Sequence, residues 1–124
     1  MTLKSVLVVD DDEGDQFLTQ RAIRKFDDSI VIHAAYDGEE ALSLVRDQGL
    51  RLDAIFLDIN MPGMGGLEFL QHYSQYDSAT SVVVMLTTSD NDRDRNICGQ
   101  YTCAKHYVLK PLLAETLANL NFRD

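Results

Sequence analysis

At 124 residues, 45% apolar and 25% charged, the chain has the ordinary make-up of one globular domain, with material for a single core and not for two. Its 20 acidic against 11 basic residues give a net charge of −9, which argues against direct binding to nucleic acid or to anionic membrane surfaces. No apolar run approaches the ~18 residues of a membrane-spanning helix; Met1-Thr2-Leu3-Lys4-Ser5 has no signal-peptide pattern, so a cytoplasmic location is expected.

The first predicted element is a strand over residues 5–9, the apolar run Val6-Leu7-Val8-Val9, closed by Asp10-Asp11-Asp12. A helix over 15–26 follows, with Leu18, Ala22 and Phe26 on one stripe and Arg21, Arg24 and Lys25 elsewhere. Asp12 and Glu13 suit the positive N-terminal end of that helix as well as they suit a cation site. A strand over 30–35 leads through Tyr36-Asp37-Gly38 into a helix over 38–48. In that helix Asp37 and Glu40 have capping-box spacing, Ala41, Leu42, Leu44 and Val45 form the stripe, and Gly49 is the stop.

A strand over 54–57 delivers Asp58, and the loop Met61-Pro62-Gly63-Met64-Gly65-Gly66 is constrained by its Pro and Gly residues. The helix after it, over 67–76, points Leu67, Leu70 and Tyr73 inward. A strand over 82–86 runs into Thr87-Thr88-Ser89, where Thr88 and Ser89 are candidate caps for a strongly polar helix over 92–101. In that fourth helix only Ile97 and Cys98 clearly pack, which makes it a candidate for movement. A strand over 106–109 ends at Lys110, and a last helix over 112–121 carries Leu113, Leu117 and Leu120. Cys98 and Cys103, the only cysteines, have no His at ligand spacing and are expected to be reduced and packed.

Regular strand–helix alternation implies a parallel sheet covered by helices on both faces, with ligands at the carboxyl edge, at the topological switch point. The polar residues sit at that edge: Asp10-Asp11-Asp12, Asp58, Thr87-Thr88-Ser89 and Lys110. Two carboxylates about 4 Å apart repel by roughly 4 kcal/mol at an effective dielectric near 20, so the cluster calls for a cation. Oxygen donors of this kind suit Mg²⁺, or Mn²⁺. An aspartate beside such an ion can act as a nucleophile toward phosphorus, with Thr87 and Lys110 completing an oxygen cradle for the phosphoryl group.

The segments VLVVDDDEGDQFL, FLDINMPGMGGLEFL, VVVMLTTSD and YVLKPL together resemble the CheY-like receiver domains of bacterial response regulators. The match spans nearly the whole chain, in order and at family spacing. The resemblance implies a flavodoxin-like, doubly wound five-stranded parallel sheet of order 2-1-3-4-5 with five helices. It implies a single receiver domain over 1–124 without an output domain, and Asp58 as phosphoacceptor. Asp11 then resembles a direct Mg²⁺ ligand, Asp10 the acid holding a metal-bound water, and Asn60 the donor of a backbone carbonyl. Thr87 and Lys110 correspond to the phosphoryl-binding hydroxyl and lysine, and Tyr107 to the switch aromatic, although a half-buried strand tyrosine is the plainer reading. Asn60 and Ser89 are candidates for tuning phosphoryl lifetime, and the Lys110–Pro111 bond is often cis in relatives.

Partners implied by the resemblance are a sensor histidine kinase or phosphotransfer protein and a downstream protein target. The readout falls on the face made by the fourth helix, fifth strand and fifth helix, in a monomer or a phosphorylation-dependent dimer. The stretch from Asp10 to Thr19 also resembles stand-alone receivers partnered with phytochrome-type kinases. Cys103 stands where many receivers carry glycine, and Thr80-Ser81 occupies an approach where others have proline. A competing reading is a phosphatase of the haloacid-dehalogenase type, which uses the same chemical parts. Here, however, the acidic pair precedes the nucleophile, residue 60 is Asn rather than an acid, and there is no room for a cap domain.

Overall fold

The structure is a computed structural model that describes residues 3–47, 51–76, 79–88 and 91–122. Strands and helices alternate: β1 (Ser5–Val9), α1 (Glu13–Phe26), β2 (Val31–Ala35), α2 (Gly38–Leu42), β3 (Ala54–Asp58), α3 (Gly66–Tyr73), β4 (Val82–Thr87), α4 (Asp92–Cys98), β5 (Ala104–Leu109) and α5 (Ala114–Asn119). All pairings are parallel and the order is β2-β1-β3-β4-β5, as the resemblance implied.

Period-two alternation divides the core into two layers. Leu7, Val9, Ile55, Leu57, Val83 and Met85 face α2, α3 and α4 through Leu42, Phe69 and Cys98. Val6, Val8, Phe56, Val84 and Leu86 face α1 and α5 through Ile23 and Leu117, with Phe122 beyond α5 in the same layer. Central strands β1, β3 and β4 are therefore apolar at nearly every position, whereas edge strands β2 and β5 are only partly covered. Cys98 is buried, Cys103 is partly covered, and both are free thiols.

Several local expectations are corrected. In α1 the inward face is Gln16, Thr19, Ala22 and Ile23, while Leu18 and Phe26 are 48% and 39% exposed. A stripe drawn from apolar residues alone misses this face because two of its members are polar, Gln16 being satisfied by strand-end carbonyls. Leu113 is 52% exposed at the start of α5, and Leu112 takes the buried place beside Leu117. The cap of α4 is Asn91, whose side chain accepts the Arg93 and Asp94 amides; Thr88 is exposed and does not serve. Asp37 caps α2 by accepting the Glu40 amide at 2.7 Å, and Glu40 returns the bond to Tyr36. After Leu42 that helix widens into a π turn, Ser43–Asp47. The expected helix end at Gln48 and Gly49, and the candidate Ser89, lie outside the described residues.

Candidate functional site

The order of strand addition reverses at β1, which has β2 on one side and β3 on the other. The carboxyl ends of β1 and β3 thus open a crevice between diverging connections. Asp10 is anchored there by its own amide, which donates to the Ala35 carbonyl at 3.0 Å, and by its Oδ1, which accepts the Asp12 amide at 3.0 Å. Asp12 is turned away to cap α1, accepting the Asp15 amide at 2.8 Å. The acidic triplet therefore splits: Asp10 is buried, Asp11 is exposed toward the crevice, and Asp12 terminates a helix.

Asp58 is the last residue of β3 and is 6% exposed. The loop after it folds back sharply. Gly66 donates to the Ile59 carbonyl at 3.0 Å, and a Cβ at Gly66 would overlap the Asp58 carbonyl oxygen, so only glycine permits this approach. Gly63 turns the loop at φ 72. Thr87, fully buried, closes β4 and accepts the Lys110 backbone amide at 2.8 Å, which places the lysine stem beside the crevice. The Lys110–Pro111 bond is cis.

The Lys110 ammonium is the hub of the site. Its Nζ lies 2.7 Å from Asp10 Oδ2, 2.9 Å from Asp15 Oδ2 and 3.3 Å from Asp58 Oδ1. Burial raises the Asp10 carboxyl above its ordinary range despite the ammonium beside it. Asp58 is pushed up to about 6, first by burial and then by the Asp10 charge, with Lys110 and the Asn60 amide opposing. Lys110 is itself held protonated by its acidic neighbours, against the effect of its own burial.

Carboxylate oxygens of Asp10, Asp11 and Asp58 lie within 4.8 Å of one another. This all-oxygen set, two members buried and under-neutralised and one open to solvent, fits a hard divalent ion that keeps part of its water shell. Asn60 is exposed at the rim, two residues beyond Asp58. Tyr107 is set apart on β5, opposite Met85, with its ring 4.4 Å beneath the Arg95 guanidinium. Its enclosed hydroxyl makes no well-formed hydrogen bond among the described residues, and burial pushes the phenol upward, with the Asn91 backbone opposing.

Two contributors were not legible beforehand. Asp15 supplies a further carboxylate to Lys110, and Gln16, 2% exposed, donates its amide to the carbonyls of Val8 (2.9 Å), Ala35 (2.9 Å) and Asp10 (3.3 Å). Gln16 thereby ties the ends of β1 and β2 together beneath the acids. Asp15 lies three residues after the cap Asp12, a spacing that reads as helix initiation and hides its second contact.

A doubly wound parallel sheet with acids and a lysine converging at its switch point defines the class: a flavodoxin-like α/β protein with an acid–lysine pocket. The chain belongs to the response regulator receiver domain family, which it matches over residues 6–120. Among solved structures it is similar to a two-component response regulator from Cytophaga hutchinsonii, at 30% identity and TM-score 0.86, covering 96% of this chain and 94% of that one. It is similar also to the chemotaxis response regulator CheY4 of Vibrio cholerae, at 30% identity and TM-score 0.78, covering 94% of each. The bacteriophytochrome response regulator AtBRR matches at 28% identity and TM-score 0.78, over 95% of this chain and 89% of that one. The haloacid-dehalogenase alternative gains no support from these matches.

Proposed function

We propose that the domain accepts a phosphoryl group on Asp58, in the presence of Mg²⁺, from a sensor histidine kinase or phosphotransfer protein. The observation that carries this reading is the Lys110 ammonium lying 2.7 Å from Asp10 and 3.3 Å from Asp58 within one cluster of acids. Asp10, Asp11, Asp58 and the Asn60 carbonyl are the groups that would hold the ion. When bound, Mg²⁺ supplies positive charge that offsets the incoming phosphoryl oxygens.

The residues divide the remaining work. An Asp58 Oδ attacks phosphorus as the bond to the donor's imidazole nitrogen, or to the carboxyl oxygen of a small donor such as acetyl phosphate, breaks. The electron pair leaves with the donor. Lys110 and Thr87 then bind phosphoryl oxygens, fixing the new group in a partly buried pocket. Hydrolysis reverses the state: water attacks phosphorus, the acyl–phosphate P–O bond breaks, and Asp58 is restored as inorganic phosphate departs. The domain thus catalyses its own gain and loss of a phosphoryl group rather than turning over a separate substrate.

The added charge and oxygens draw Thr87 and Lys110 inward, and Tyr107 with α4 shifts population between two arrangements. The face formed by α4, β5 and α5 is the readout surface for a protein target. Resemblance to a bacteriophytochrome response regulator favours a kinase of that type as one donor to assay. Incubation with acetyl phosphate and Mg²⁺ is expected to add one phosphoryl group by intact-mass spectrometry. The Asp58→Asn variant is expected to take none; undiminished labelling of that variant would overturn the assignment.

A further inference from the structure

We infer that Asp15 is a positioning residue for Lys110: it holds the ammonium in the unphosphorylated site and is exchanged for a phosphoryl oxygen when Asp58 is modified. The inference rests on the phosphoacceptor reading above and deepens it. An ammonium offers three donors. Here the two short contacts go to Asp10 at 2.7 Å and Asp15 at 2.9 Å, leaving Asp58 the longest at 3.3 Å. Only the first two are well-formed hydrogen bonds. The third donor faces Asp58 across the longest contact, so a phosphoryl group there that draws the ammonium closer lengthens its contacts to the other two acids.

The two partners are not equally easy to release. The Asp10 side chain is 2% exposed, and withdrawing the cation leaves its buried Oδ2 with neither partner nor water, since the Asp12 amide serves only Oδ1. The Asp15 side chain is 36% exposed, so water replaces the ammonium as it leaves. Asp15 sits in the first turn of α1, whose start is fixed by the Asp12 cap, and next to Gln16, which pins that turn to the strand ends. Its carboxylate is thus delivered to Lys110 by a rigid turn and stays hydrated enough to give the lysine up.

The exchange has a direction. Asp15 competes with the phosphoryl group for one ammonium, so removing its charge favours the phosphorylated state. Asp15→Asn is expected to slow loss of the phosphoryl group by about fivefold, the range of a partly exposed ion pair. It is also expected to raise the labelled fraction at limiting acetyl phosphate. Asp15→Glu, which keeps the charge, is expected to return the loss rate toward wild type.

A second readout needs neither Mg²⁺ nor phosphate. In protein labelled with ¹⁵N-lysine and kept in chelator, the Lys110 ammonium resonance is expected to move and exchange faster with water in Asp15→Asn than in wild type. An unmoved Lys110 signal, or a moved signal with unchanged loss rate and labelled fraction, overturns the exchange role. Wild type that takes no label at all overturns the phosphoacceptor reading itself, a result distinct from the others.

Discussion

The two ends of the sheet handle polar groups in opposite ways. At the amino end the polar side chains of Ser5, Asp53, Tyr73 and Ser81 meet backbone amides or carbonyls. Asp53 accepts the Lys4 and Ser5 amides at 2.7 and 3.1 Å, Ser81 Oγ donates to the Leu52 carbonyl at 2.7 Å, and the Tyr73 hydroxyl accepts the Ser81 amide at 3.1 Å. At the carboxyl end Asp10, Asp15 and Asp58 share the single Lys110 ammonium, and Asp11 stands beside them. One end is locally satisfied and serves stability. The other is held in electrostatic conflict, and that conflict is what a cation or a phosphoryl exchange can relieve.

The strongest way to break this contrast is to remove the hub. Lys110→Met leaves the buried Asp10 and Asp58 carboxyls facing each other without their ammonium, an expected loss of about 3 kcal/mol by urea denaturation in chelator near neutral pH. The loss should shrink in mildly acidic buffer, because Asp58, pushed up to about 6, takes up a proton there and no longer repels Asp10. A pH-independent loss would mean that Lys110 contributes only packing.

Asp58→Asn tests the conflict from the other side and should stabilise the metal-free protein. The Asp58 pKa is about 6 in the fold against an ordinary 3.8, so the folded state favours the protonated acid. Its stabilising contribution is full below 3.8 and is lost as pH rises through about 6. The Asn side chain does not titrate. The variant's advantage therefore opens across that window and levels at about 3 kcal/mol above it. Saturating Mg²⁺ should narrow or reverse the difference, since the ion neutralises the wild-type acids. Melting temperatures across pH with and without Mg²⁺ read both effects; a variant less stable than wild type in chelator would contradict the assignment of strain to this end.

Much of the carboxyl end was visible in the sequence, for a physical reason. A buried parallel strand is a short apolar run, and a charged residue directly after it marks the strand end, so Asp10, Asp58 and Lys110 announced themselves. Asp15 and Gln16 did not, because their contacts depend on how α1 is rotated against the sheet. That rotation is set by the Asp12 cap and by a buried amide, and apolar periodicity carries neither signal; the same gap turned Leu18 and Phe26 outward against expectation. The cap of α4 was placed too early for a related reason: Thr88, Ser89 and Asn91 are all capping residue types, and only the chain path selects Asn91. The amino end was hardly legible, since Asp53 and Ser81 look ordinary until the sheet brings in partners 48 or 49 and 29 positions away, and Tyr73 until it meets the Ser81 amide.

The smallest expected effect sharpens the contrast most cleanly. Ser81→Ala at the amino end removes one neutral hydrogen bond to the Leu52 carbonyl in a site only 7% exposed, with an expected cost of about 1 kcal/mol. Neither partner titrates near neutrality, so this cost should stay constant across the range in which Lys110→Met and Asp58→Asn change. Phosphoryl uptake from acetyl phosphate should also match wild type once the variant is folded. Were Ser81→Ala to show the pH and Mg²⁺ dependence expected at the other end, the two edges would be energetically coupled through β4. The division of labour between them would then be wrong, because strain at the carboxyl edge would be felt along the whole length of the strand.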